Sequence, residues 1–488
     1  MPAPLTMNED HVRHLLRRTG FGVSRKDWKK AQSLVGESPA AGADYVINLK
    51  RKKIRLKGEE NEDLHNSWVR HLIKGKTPFQ DKVALFWHDH FATSASVVDE
   101  VAAMKLHVRT HYDFALGNFK EYCKAINTDP AMMIFLDTQL NNKDIPNENY
   151  GRELCELFTL GVCDLNGVEN YTQEDIVQIA RAFTGWRVDF DEAYFEPEEH
   201  DYNSEFLAQR GPKNIFVNAH GFGPSGAAFD AQGEGEPEID EVIEIIFSHL
   251  DSDGENTVAR RTAYRLLEYF AYAAPDKNVV DDVVSNSAFV GSWEIEDLIR
   301  AILVHDAFWE TNEQQPFSAS TRKSVKHPID YVVGTMRTTN MKAKGRDLEF
   351  PGGEYLRLID HLSNMGQIIG EPPSVFGWDW EKGWISSSTL LARYAFARDI
   401  ANARESGRFR PEKLIDRGLS DPGQIVDAVL AALGLNGQFS PAERQIFIDY
   451  ATDDGAVTEL DLGDPDVRNI KLNGLFSMAM QTTAYQLH

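Results

Sequence analysis

Apolar residues recur at helical spacing along most of the chain. In Asn147–Gly161 the period of about 100° per residue puts Tyr150, Leu154, Leu157, Phe158 and Gly161 on one stripe, the face that enters a core. Gly161 after the apolar run reads as a helix stop, and Asn147 or Asn149 as the cap. Glu148, Arg152 and Glu156 follow one another at i, i+4 on the other side, with Glu153 at the boundary. Comparable stripes predict helices over His11–Arg18, Phe79–Phe91, Val101–Leu116 and Phe119–Ile126. Ser24 caps a helix carrying Trp28, and Thr172 with Asp175 forms a capping box for Gln173–Phe183. The Lys50–Glu62 run, dense in Lys, Arg and Glu, reads as a solvated helix or connector.

The texture changes over Gly185–Gly235, where aromatics alternate with Asp and Glu among frequent Gly and Pro. Tyr194-Phe195, Ile215-Phe216-Val217 and Phe229 are candidate short strands there, and a segment this long with so little helical period suggests function. Helical spacing resumes at Ile239–Leu250, Ala259–Ala274, Ile295–His305, Pro328–Met336, Tyr355–Leu362 and Thr389–Arg404. Gly366–Ser388 reads as an ordered loop rich in Gly, Pro and Trp, and helices follow at Ile425–Leu433, Ala442–Tyr450 and Val467–Gln481. The fold class expected is mainly α, a multi-helix globular fold with one irregular β-containing insertion. Its parts are residues 1–184, which carry the polar motifs, 185–237, the insertion, and 238–488, a second helical part.

Composition narrows the functions. With 488 residues, 42% of them apolar, 27 Phe and 9 Trp, the chain can bury more than one ordinary core. A net charge of −24 argues against a nucleic-acid partner, which wants a basic footprint. Three cysteines without a CxxC spacing cannot all pair, and buried thiols are the expectation. No run approaches the roughly 18 apolar residues of a membrane span, and Met1–Asp10 lacks the apolar region of a signal peptide. Localisation and oligomeric state stay open.

The chemistry-bearing residues form three groups. Glu148, Glu153 and Glu156, with Arg152 among them, offer paired carboxylates for acid and base work. The bland alternative is a cap followed by a salt-bridge stripe. His88 and His90 flank Asp89 in an apolar helix and point roughly 200° apart, so one metal cannot take both unless the helix ends between them. A divalent metal would draw further ligands from Glu153, Glu156, His200 or Asp201, and no established metal motif is present. Trp186, Trp378 and Trp380 are candidates for stacking a carbohydrate or other polymer, or for sealing the core.

Several stretches resemble the bacterial family catalogued as domain of unknown function 1800. They include Leu15–Gly22, Leu85–Thr93, Gly117-Asn118-Phe119, Asp129–Met132 and the Asn147 helix. Thr184-Gly185-Trp186, His200-Asp201, Lys326-His327-Pro328, Met365-Gly366-Gln367, Pro372-Pro373 and Gly377-Trp378 continue the likeness across nearly the whole chain. The resemblance implies a family and no activity; family members are often exported. Where the family often has a lysine soon after the His-Asp pair, this chain has Lys213, after an eleven-residue spacer. Two functions from different classes fit: a hydrolase of a polymeric or glycosylated substrate using acid/base carboxylates, metal-assisted or not, and a binding or scaffold protein with a structural salt-bridge network.

Overall fold

The helix Pro78–His90 is buried on every side, from Phe79 to His90. A helix buried on all sides sits between other elements, and this one divides the two main cores. Phe79, Val83, Phe86 and Trp87 belong to one core, which runs from Met7 to Trp309. Ala84 and Leu85 belong to the other, which joins Ile54–Ala131 to residues 329–485. The computed structural model describes residues 5–202, 209–229, 233–309, 324–341, 357–403 and 409–488. The start of the Tyr355–Leu362 helix, and Arg404, lie outside the described residues.

The helices used below are α1 (Asn61–Lys74), α2 (Pro78–His90), α3 (Val101–Asp113), α4 (Asn149–Glu153), α5 (Gln173–Ala182), α6 (Thr257–Phe270) and α7 (Pro328–Thr338). Among the described residues the only sheets are two small antiparallel pairs. Strands β1 (Trp186–Asp189) and β2 (Glu192–Phe195) form one, and β3 (Asn214–Ile215) and β4 (Ala227–Ala228) the other. The chain is therefore mainly α, with its strands inside the 185–237 segment. Tyr194-Phe195 lies in β2, paired to Trp186 and Arg187. Ile215 lies in β3, which packs on α5. No helix among the described residues is long and apolar enough to cross a membrane.

Distant parts of the chain are tied through buried polar contacts. Lys82 on α2 donates to Asp330 on α7 at 2.5 Å, both side chains almost fully buried. Arg18 is buried too and donates to the carbonyls of Phe270 and Tyr269 at the end of α6. Cys123 and Cys155 are buried thiols as expected, whereas Cys163 is exposed.

Of the two forms expected for the Lys50–Glu62 run, the connector is the one found, since helix begins only at Asn61. Residues 51–58 belong to no helix or strand, and Ile54 and Leu56 are buried while the alternate Lys53, Arg55 and Lys57 are exposed. A period of two in a basic sequence hides easily, because every second residue still carries charge.

Candidate functional site around the central helix

Asn147 Oδ1 accepts from the Asn149 backbone N–H at 2.9 Å, so the asparagine turn leads into α4 as its sequence suggests. Glu148 occupies the cap position itself, without a side-chain capping bond. After Glu153 the helix widens into a π-turn, Leu154–Thr159, and ends before Gly161 at φ +80°. The Leu160 and Gly161 N–H groups both donate to the Cys155 carbonyl. The wider turn corrects the expected stripe. Tyr150, Leu154 and Phe158 are buried as read, but Cys155 and Thr159 join them and Leu157 is only half-buried. A fixed period of 3.6 cannot follow a helix that changes pitch, and π-turns often sit at functional sites.

Both α5 and the end of α2 meet this helix and its π-turn. Gly151 lies against Ile179 of α5. His90 at the end of α2 donates its Nε2 proton to the Phe158 carbonyl at 3.0 Å. That carbonyl is in the last turn, where no onward helical partner exists. Burial, then the charges of Arg265 and other groups, hold His90 down to about 3, so its ring is neutral at physiological pH.

The consecutive residues His88, Asp89 and His90 go to three places. His88 faces α3, where it meets His107 and His111 with all three rings fully buried and their ligand atoms within 4.8 Å of one another. His107 and His111 share one face of α3 at i, i+4; that spacing was available in the sequence but was not read as a pair. Asp89 Oδ1 accepts from the Trp378 N–H at 2.7 Å. Gly377 makes that approach possible, since a Cβ there would lie 2.5 Å from the same carboxylate oxygen. Burial outweighs Arg265, the Trp378 N–H and the Trp380 indole, and raises Asp89 to about 6.

The histidine cluster has the donor type a divalent metal wants, but its hydrogen bonds do not fit one. His107 contacts Asp129 Oδ1 at 2.9 Å and the Phe91 carbonyl at 3.1 Å, so both ring nitrogens already have acceptor partners. His88 Nε2 accepts from the Gly370 N–H at 3.2 Å, which places the His88 proton on Nδ1. Only His111 Nε2 and the protonated His88 Nδ1 lack partners. A metal would have to displace both the Phe91 and the Gly370 contacts to gain three lone pairs.

Facing the π-turn is α6, which presents Arg261, Arg265 and Glu268 along one side. The Arg261 stem packs on Gly161 at 3.4 Å from where a Cβ would stand. Burial, then Arg265, lowers Arg261 to about 10, while Glu156 lies close enough to oppose the shift. Arg265 pairs with Glu268 at 2.9 Å and stands over the Trp380 ring at 4.8 Å. Glu156 accepts from the Tyr171 hydroxyl at 3.2 Å. Burial, followed by the charge of Glu156, raises Glu153 above the ordinary carboxylate range. Glu153 Oε2 and Arg261 Nε are buried and have no hydrogen-bond partner.

Not every candidate joins this seam. Glu148 pairs with Arg152 at 2.7 Å and with Gln173 on a half-exposed face, so those two residues form the surface pair of the bland reading. His200 and Asp201 are fully buried in a separate network. Arg181 grips Asp201 from two nitrogens, and Arg210 adds a third contact at 2.6 Å. Lys213 reaches Glu238 at 2.6 Å and His200 at 3.3 Å, so the fold closes the long spacer that separates the lysine from the His-Asp pair. Trp186 and Trp378 are 7% and 4% exposed, which leaves neither a face for stacking a sugar. Trp380 is half-buried among Tyr269, His327 and Arg265. Arg261, Arg265 and Tyr171 were missed because their place opposite Glu156 is a fact of packing, with no local pattern to announce it.

A family model described as a protein of unknown function, DUF1800, matches residues 14–487, and the chain belongs to that family. Comparison with curated proteins and with solved structures finds no match.

Proposed function

We propose that this member of the DUF1800 family is a hydrolase whose acid/base carboxylates are Glu153 and Glu156, acting on a polymeric or glycosylated substrate with Arg261 opposite them. The observation carrying this reading is that two unanswered groups both lie in the field of Glu156: a buried oxygen of Glu153 and the buried Nε of Arg261. Buried polar atoms are nearly always hydrogen-bonded, and leaving one unpaired costs about 1–3 kcal/mol. A substrate carrying both a donor and an acceptor would satisfy the two together. The raised Glu153 is suited to hold a proton and give it to a leaving group. Glu156, which accepts from Tyr171 and lies near Arg261, is assigned the role of base. The test is a panel of polysaccharide, ester and phosphoester substrates on wild type, Glu153→Gln and Glu156→Gln, each first shown to be folded. A loss of about 100-fold or more in both variants is expected; activity undiminished in both would remove these glutamates from the mechanism.

A second reading, a binding or scaffold protein, is favoured by where the open space lies. Clefts of about 1120 and 640 Å³ are lined by other parts of the chain, the larger by His11, His14, Lys326 and Tyr394 among others. No activity across the panel would support this reading.

A further inference from the structure

In a chain with a net charge of −24, the 640 Å³ cleft is lined by six Lys or Arg side chains: Lys52, Arg55, Lys57, Arg70, Lys74 and Lys76. One wall is the segment 52–58 and the other is α1. The alternation that buries Ile54 and Leu56 turns Arg55 and Lys57 outward. Lys57 N–H donates to Ser67 Oγ at 3.0 Å and Lys52 N–H to Gln80 Oε1 at 2.7 Å, so the basic segment is fixed to the helices by its backbone. Gly58, at φ +98°, turns the chain directly over the Asp63 side chain, and Lys105 holds the Gly58 carbonyl.

Lys52, Arg55, Lys57, Lys74 and Lys76 form no ion pair among the described residues, although the chain has 75 acidic residues to offer. The acids at the cleft are Asp63, which lines it, and Asp81, buried beneath Gly75 and held by His71 and Thr77. A second observation lies at the floor. Asn66 is 3% exposed, lines the cleft, and its Oδ1 is buried without a hydrogen-bond partner. An amide oxygen accepts, so this floor atom would take a hydroxyl or protonated oxygen of a ligand whose anionic groups the lysines hold by charge.

We propose that this cleft binds a small multivalent anion, one bearing two or more phosphate or carboxylate groups. Its volume falls in the range of small-molecule sites, about 300–1000 Å³. The charge pattern favours a small anion over a polymer. With a screening length of about 8 Å at physiological salt, an anion inside the cleft responds to the local cations. A long polyanion would also run over the acidic surface beyond it. The site does not depend on the hydrolytic reading of Glu153 and Glu156.

The experiment is calorimetric titration of the whole chain with inorganic pyrophosphate, citrate and a heparin oligosaccharide, at low and physiological salt. Pyrophosphate or citrate should bind, more weakly as salt rises. Lys52→Glu with Arg55→Glu should weaken binding by about tenfold or more, and Lys26→Glu with Lys30→Glu, exposed elsewhere, by less than about twofold. The charge-neutral pair Lys52→Gln with Arg55→Gln serves if the glutamates disturb folding, and a weaker loss in the same direction is expected. No binding at about 10 mM pyrophosphate or citrate, or equal loss in the control pair, overturns the proposal. Heparin binding much tighter than either small anion would replace it with a polymer surface.

Discussion

Two polar clusters beside the same helix bundle use similar residues to opposite ends. In the network of Arg181, Asp201, Arg210, His200, Lys213 and Glu238, each charge is met by an opposite charge at hydrogen-bonding distance. In the seam between the π-turn and α6, carboxylates and guanidiniums lie within each other's fields, yet Glu153 Oε2 and Arg261 Nε are left open. The first fixes the start of the 185–237 segment to α5. The second leaves unspent hydrogen-bonding capacity beside a helix whose pitch has been altered. Charge content does not separate the two clusters; the completeness of pairing does.

The sharpest way to test that contrast is to break the closed network. Lys213→Met leaves Glu238 buried with only His200 as partner, and a loss of about 3–5 kcal/mol is expected in chemical denaturation. A loss below about 1 kcal/mol would mean that the network is not structural.

Asp89 gives the next largest effect, with a defined sign. Its folded value of about 6 lies above the ordinary carboxylate range. Between about pH 4 and 6 the folded chain therefore keeps a proton that the unfolded chain has released, and the Asp89 contribution to stability falls as pH rises. Asp89→Asn keeps an oxygen for the Trp378 N–H and removes the charge. The variant should gain on wild type by up to about 3 kcal/mol across that window, read from paired melts at several pH values. A constant difference at all pH values would contradict this.

The seam itself should be nearly silent in stability. Glu153→Gln and Glu156→Gln should each stay within about 1 kcal/mol of wild type, because neither removes a complete buried pair. A large destabilisation would move the seam into the structural class. The smallest effect belongs to the surface pair. Glu148→Gln should cost about 0.3–0.5 kcal/mol, less at high salt, and leave any activity intact. Chelator treatment should leave the melting temperature unchanged; a metal bound stoichiometrically would show that the contacts of His107 and His88 give way.

The sequence by itself determined the helical class, the strands inside 185–237, the Thr172 and Ser24 caps and the Gly161 stop. These follow from local signals: an apolar stripe, a side chain that caps its own turn, a residue free to take positive φ. It also exposed His88 and His90 as a divergent pair, because helical spacing alone sets their directions. Only the tertiary structure decided where the polar groups go. It put Arg261 opposite Glu156 across about a hundred residues of sequence and brought Lys213 back to His200. It also sank Trp186 and Trp378 into the interior and turned the charged run into the wall of a basic cleft. The physical reason is that pairing and burial are set by which helices meet. An isolated glutamate carries no mark of whether it will face water, an arginine or nothing.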